Sequence, residues 1–305
     1  DLMRIKLILL PSLVNLILSI CTAAQSPSSD QDKVKAFFDQ VNRPVVYSIP
    51  AMGQVKVKRD IAYKKDASAD FLRMDLYIPA DTKGVLPVVI LFHGGVYSDV
   101  PLKPKDWGFY KSWGRLIAAS GMAAVTFNQR LGFPDPNLQQ ASQDVEDLIG
   151  FVRAHSDDWG LDRDRICLAA YSAGGPMLSM AMRDAPPYIR CLVAFYPFLD
   201  IQQSALHRKF LSEQQLKEFS PITYLDHGAA KLPPMFVARA GRDQIPDLEP
   251  ALDRFVAEAV YRNIALDFMN HPLGVHGFDN QNDDARSREI VRAAIEFFKT
   301  HLAEP

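Results

Sequence analysis

Cysteine is scarce: the 305 residues hold three, Cys21, Cys167 and Cys191. So small a set gives no disulfide framework, and no Cys/His cluster has zinc-site spacing. Cys167 and Cys191 lie in apolar runs and are expected as free, buried thiols behaving as small hydrophobes. An excess of charge of either sign is also missing. Thirty-four basic residues against 36 acidic ones leave a formal net charge of -2, and the basic residues are scattered. That removes the electrostatic case for nucleic acid or an anionic membrane surface as partner. No internal repeat is present, and no composition break marks a linker. Low complexity is confined to the short polar stretch from Gln25 to Asp32.

The apolar run at the start is shorter than the roughly 20 residues a membrane span needs. Arg4 and Lys6 precede Leu7 to Ile20, which Pro11, Ser12, Asn15 and Ser19 interrupt, and small residues follow at Thr22, Ala23 and Ala24. A basic start, a short apolar core and a small-residue exit describe an export signal, with cleavage expected after Ala24. Leu18-Ser19-Ile20-Cys21 also resembles a lipoprotein signal, in which Cys21 would carry lipid. The expected organisation is a signal over 1–24 and one large domain over 25–305, delivered to the periplasm or the exterior. The mature chain is expected to carry no stable membrane span.

Two hydrophobic patterns follow. Val55 to Tyr63 alternates in part and Arg73 to Ile78 alternates cleanly, as strands with one wet face do. Val88 to Phe92, Met122 to Phe127, Ile166 to Ala170, Cys191 to Phe195 and Met235 to Ala238 are instead apolar throughout, the mark of strands in a buried parallel sheet. Helical stretches separate them: Trp107 to Ser120, Ala141 to His155, Pro176 to Arg183, Pro250 to Tyr261, and Phe278 to Leu302 at the end. This alternation predicts an α/β fold, with a doubly wound, mostly parallel sheet and helices on both faces. Residues 200–226 interrupt the rhythm. They would lie over the carboxyl ends of the strands, where ligands bind in such folds, either as a small cap insertion or as a plain connection.

Ala170-Tyr171-Ser172-Ala173-Gly174-Gly175 follows a buried strand and opens a helix. A serine there is a favoured helix cap; it also stands where the G-x-S-x-G nucleophile elbow does, with Ala170 in the first glycine's place. His93-Gly94-Gly95 follows Val88 to Phe92. Asp243, in Ala240-Gly241-Arg242-Asp243, and His276, in Val275-His276-Gly277-Phe278, come later, each after a strand. Together these segments, over roughly Asp70 to Leu302, resemble the α/β-hydrolase family of serine esterases and lipases, whose triad runs Ser, Asp or Glu, His.

The resemblance implies Ser172 as nucleophile, His276 as base and Asp243 as its orienting carboxylate. It implies Gly94 or Gly95, with Ala173, as backbone donors of the oxyanion hole, and His93 as a structural residue. Val96 stands in place of a further glycine. A serine hydroxyl is a poor nucleophile without an adjacent base, and histidine titrates in the range that lets it take and return the proton. His271 and Asp247 are the rivals for base and carboxylate. Arg130, in Asn128-Gln129-Arg130-Leu131, is expected to tie its loop to the sheet. Tyr97, Trp107, Phe109, Tyr110 and Phe133 are candidates for a pocket wall or for core. The implied activity is hydrolysis of a small-molecule ester through an acyl-enzyme, with no metal or cofactor. A serine peptidase on the same fold and a binding protein without turnover are the other readings.

Overall fold

A computed structural model describes residues 30–65, 70–82, 84–95, 103–131, 137–228 and 230–303. The proposed signal, Cys21, Val96, Tyr97 and Phe133 lie outside them. The elements run in the order α1 (Asp30–Val41), β1 (Lys56–Ala62), β2 (Arg73–Ile78), β3 (Leu86–Phe92), α2 (Gly108–Ala119), β4 (Ala123–Phe127), α3 (Leu138–Ala154) and the single turn α4 (Ser156–Trp159). The second half holds β5 (Leu161–Tyr171), α5 (Leu178–Asp184), β6 (Ile189–Phe195), α6 (Glu213–Glu218), β7 (Met235–Arg242), α7 (Leu248–Tyr261), β8 (Leu266–Val275), α8 (Phe278–Gln281) and α9 (Ala285–Leu302).

The continuous apolar runs became the middle of one eight-stranded sheet, ordered β1-β2-β4-β3-β5-β6-β7-β8. Pairing is antiparallel for β1 with β2 and for β2 with β4, and parallel from β4 onward. Every residue of β4 is buried, and so is nearly every residue of β3 and β6, because helices cover both faces. Val145 and Leu148 of α3, Leu178 of α5 and Leu252 of α7 pack into one core. Trp113 and Leu116 of α2 and Ile290, Ala294 and Phe298 of α9 pack into the other. The doubly wound expectation is therefore met. From β3 the chain winds one way through β4 and the other way through β5, and the crevice at that switch lies at the carboxyl ends of β3 and β5.

Four details differ from the sequence reading. Cys167 and Cys191 are not free: they face each other in register on β5 and β6, Cα atoms 4.8 Å apart, and are joined as a disulfide. Neighbouring parallel strands bring two thiols together at a separation that spacing alone does not reveal. The last helical stretch is two helices, because Asp284 caps α9 by accepting the Ser287 N–H at 2.8 Å. The edge strand β8 runs through Pro272 to Val275, which an edge tolerates since no ladder bond is lost on its open side. Finally, α1 forms over a stretch to which the sequence reading assigned no element. Residues 200–226 hold a short helical turn at His207–Lys209 and α6, and a further turn spans Pro221–His227.

Candidate active site

Ser172 follows directly on β5, at φ 52°, in the left-handed region that non-glycine residues seldom occupy. Its neighbours explain how the turn is held. A Cβ on Gly174 would come within 2.7 Å of the His93 carbonyl and 2.8 Å of the Phe92 carbonyl. One on Gly94 would meet the Tyr171 carbonyl at 2.8 Å. The ends of β3 and β5 thus press together through glycines. The Phe198 N–H donates to the Ser172 carbonyl at 3.1 Å and fastens the turn to the segment after β6. Ala170, in place of the expected glycine, sits fully buried within regular β5 pairing to Phe92 and Ala194. The strain begins two residues later, so a methyl at position 170 is accommodated.

His93 does the structural work expected of it. Its Nε2 accepts the Gln129 N–H at 3.1 Å, which puts the proton on Nδ1, and Nδ1 donates to the Gly94 carbonyl at 2.7 Å. Burial pushes its pKa down to about 4, so the ring stays neutral. The two glycines differ. The Gly94 N–H donates to the Tyr110 hydroxyl at 2.8 Å, and no acceptor takes the Gly95 N–H among the described residues. Ala173 is in the first turn after the elbow, where backbone N–H groups lack helical acceptors.

Asp243 stands immediately after β7 and His276 immediately after β8. β7 is longer than the apolar run Met235 to Ala238 that predicted it, and the residue after β8, His276, lines the cavity. His276 Nδ1 and Asp243 Oδ2 are 2.7 Å apart. The Asp243 side chain has no exposed surface, and its other oxygen accepts the Ile245 N–H at 2.9 Å. An acceptor carboxylate on Nδ1 selects the tautomer that leaves Nε2 with its lone pair. Ser172, His276, Gly94, Gly95 and Ala173 border one cavity of about 140 Å³. Among the described residues, no side chain of Lys, Arg, Asp or Glu is in its wall. No group of three or more metal-ligating side chains occurs among the described residues.

The rival residues are engaged elsewhere. His271 is buried in β8, and its Nε2 lies 3.1 Å from Asp284 and 3.0 Å from the Ser287 hydroxyl, fastening α9 to the sheet. Asp247 accepts the Ala205 N–H at 2.8 Å and ties α7 to residues 200–226. Arg130, expected to tie its loop to the sheet, engages a helix. It forms a two-pronged pair with Asp144 of α3, at 2.8 and 2.5 Å, because the buried carboxylate that can neutralise it lies on that helix.

Trp107, Phe109 and Tyr110 of the aromatic candidates line the cavity. Two sets of wall residues went unforeseen. Phe37, Gln40 and Val41 of α1 form one side. The helix is held there by a Phe37–Trp107 edge contact, by Gly108 N–H to Asn42 Oδ1 at 2.9 Å and by Asn280 to the Gln40 carbonyl at 3.1 Å. Val34, Phe37, Phe38 and Val41 stand at the i, i+3, i+4, i+7 spacing of a helix face, the signal the sequence offered. Tyr196 lies beside His276 with its ring tilted against the imidazole, and Leu206 and His207 bring residues 200–226 into the wall.

A family model described as BD-FAE matches residues 74–185, and one described as Prolyl oligopeptidase family matches residues 135–305. A probable isoprenylcysteine alpha-carbonyl methylesterase of Oryza sativa subsp. japonica is 30% identical over 209 residues, 58% of this chain and 48% of that protein. A probable carboxylic ester hydrolase of Mycobacterium tuberculosis is 24% identical over 220 residues, 63% of this chain and 49% of that protein. The chain spans about half the length of these curated relatives. Among solved structures, an inhibited esterase B from Lactobacillus rhamnosis superposes with a TM-score of 0.66 at 16% identity, over 83% of this chain and 89% of that one. A thermophilic esterase from Thermogutta terrifontis with propionate bound gives 0.64 at 21% identity, over 84% and 98%. With more than half of its length matched by one family model and its sheet shared with these esterases, the chain belongs to the prolyl oligopeptidase family, on the α/β-hydrolase fold of the serine esterases.

Proposed function

We propose that the protein is an exported carboxylic-ester hydrolase that works through an acyl-enzyme. The observation that carries this reading is the 2.7 Å His276–Asp243 contact beside a strained Ser172, all three at strand ends around one apolar cavity. Ser172 attacks the acyl carbon while His276 Nε2 takes its proton. Asp243 holds the imidazole's tautomer and stabilises its charged form. The proton passes to the departing alcohol, and water then cleaves the acyl-enzyme by the reverse assignment of roles.

The amides of Gly95 and Ala173 stabilise the oxyanion; one such donor contributes about 3–4 kcal/mol to the transition state. Gly94 is the second candidate among the glycines. Its N–H is committed to Tyr110, which supports Gly95 as the donor and Gly94 as the residue that shapes the loop.

The cavity supports a neutral, apolar acyl group. Its volume of about 140 Å³ is close to that of an engineered apolar cavity, about 150 Å³, that binds benzene. The family description favours a second reading, cleavage of a peptide amide by the same residues. Among the described residues the wall offers no side chain of Lys, Arg, Asp or Glu to hold a peptide terminus, which supports the ester. The disulfide supports export, since such bonds persist in oxidising compartments. Release after Ala24 and retention through lipid at Cys21 are the two forms of that export.

The test is hydrolysis of short-chain nitrophenyl esters and of a peptide nitroanilide by the purified protein and by Ser172→Ala. Ester turnover that falls by about 10⁴-fold or more in the variant supports the proposal. Equal rates in both proteins overturn it, and turnover of the anilide alone selects the peptidase reading.

A further inference from the structure

Tyr196 closes β6 at φ 38°, a conformation that is an outlier for a bulky side chain and that persists only where its surroundings enforce it. Here the surroundings are specific. The Tyr196 N–H donates to the Ala238 carbonyl at 2.7 Å. The phenol ring lies against the imidazole of His276, centroids 4.6 Å apart. Its hydroxyl donates to Asp279 Oδ1 at 2.7 Å, and Asp279 Oδ2 accepts the Trp113 indole N–H at 2.9 Å. Asp279 has no exposed surface. A chain of contacts therefore runs from α2 through a buried carboxylate to the ring that meets the imidazole.

We propose that Asp279 is a positioning residue for His276, acting through Tyr196. The Nδ1 bond to Asp243 holds one atom of the imidazole and leaves the ring free to swing about that bond. A phenol clamped against the ring stops the swing and keeps Nε2 aimed at the cavity. Only a fixed Tyr196 can do this, and the Asp279–Trp113 pair fixes it. Burial without a cationic partner explains the cost: it pushes the Asp279 pKa up to about 6, against the pull of Tyr196, Trp113 and His276. The titratable groups that face Asp279 are Tyr110 from α2, Tyr171 from β5, Tyr196 from β6 and His276 after β8. Of these, only His276 gains positive charge. The imidazolium formed as Ser172 gives up its proton thus meets a second carboxylate, held behind Tyr196.

This inference rests on the reading of Ser172 and His276 as nucleophile and base. It is tested with Tyr196→Phe, which keeps the ring and removes the clamp, and with Asp279→Asn. The amide of the latter satisfies both neighbours, donating to the Tyr196 oxygen and accepting from Trp113. The readouts are the rate of Ser172 labelling by a fluorophosphonate between pH 5 and 8, and kcat and KM on a nitrophenyl ester. Each variant is expected to label and turn over about tenfold more slowly at pH 7.5, with KM within about twofold, as for groups that act only on the transition state. The acid limb is expected to lose the contribution of the Asp279 ionisation in Asp279→Asn. Wild-type labelling matched by both variants, with only thermal stability altered, overturns the inference and leaves the hydrolase reading intact. A wild type that does not label removes both. If Asp279→Asn does not fold, Tyr196→Phe decides alone.

Discussion

Ser172 and Tyr196 both carry positive φ, 52° and 38°, and each conformation costs on the order of 1–3 kcal/mol. For Ser172 the sequence announced it, because small residues surround an elbow. Gly174 is the most exposed to test. Gly174→Ala would drive a methyl into two backbone carbonyls, at 2.7 and 2.8 Å, which cannot rotate away. A loss of about 2–4 kcal/mol is expected by analogy with overpacking of a core, read as a lowered urea midpoint, together with loss of Ser172 labelling. For Tyr196 nothing announced it: a tyrosine before a proline reads as a turn, and its partner Asp279 lies 83 residues away along the chain.

Asp279 makes a second residue-scale prediction. Its pKa is raised from 3.8 to about 6 by full burial. Between those values the folded protein binds more protons at this site than the unfolded chain, so stability falls as pH rises through that window and stays lower above it. The carboxylate's cost at pH 7.5, with the opposing hydrogen bonds from Tyr196 and Trp113 already counted, is on the order of 3 kcal/mol. Asp279→Asn is therefore expected to raise the melting temperature by several degrees at pH 7.5 and to leave it nearly unchanged at pH 4, as scanning calorimetry would read. A variant that is more stable and yet slower is the expected mark of a group retained for the reaction.

At the scale of elements, legibility followed burial. Strands β3, β4, β5 and β6 were visible because parallel strands covered on both faces must be apolar throughout. Their ends then located Ser172 and the His93-Gly94-Gly95 loop. Strands β7 and β8 were seen only in part: the first continues through Gly241 and Arg242 to Asp243, and the second through Pro272 to His276. The N-terminal helix α1 was not seen. Val34, Phe37, Phe38 and Val41 do recur at the spacing of a helix face, but what places the helix at the site are contacts with Trp107, Gly108 and Asn280, pairings that no local pattern encodes. Phe37→Ala tests its place in the site. Removing the ring opens the cavity wall without touching Ser172 or His276. KM for a butyryl ester is expected to rise several-fold with kcat little changed, the signature of lost uniform binding. A fall in kcat alone would place α1 outside the substrate's reach.

For the whole molecule, the near-neutral charge said only what the protein does not favour, and the arrangement of the cavity says more. Helices cover both faces of the sheet, so the open ground for a ligand is the row of carboxyl ends at the β3–β5 switch. There the chain places three aromatic side chains from α2 and the residue before it and, among the described residues, no side chain of Lys, Arg, Asp or Glu. A charge carried into such a space loses its water and finds no partner, which costs several kcal/mol. Two esters of one alcohol separate this from simple size exclusion: a butyryl and a succinyl nitrophenyl ester differ by little in length and by one carboxylate. The expected kcat/KM for the succinyl ester is lower by about 10²-fold or more, at every ionic strength. Partial recovery in high salt would instead mean a distant field acting on the substrate, since screening weakens only exposed charges. With 34 basic and 36 acidic residues in the chain, that field is weak, and the discrimination belongs to the cavity.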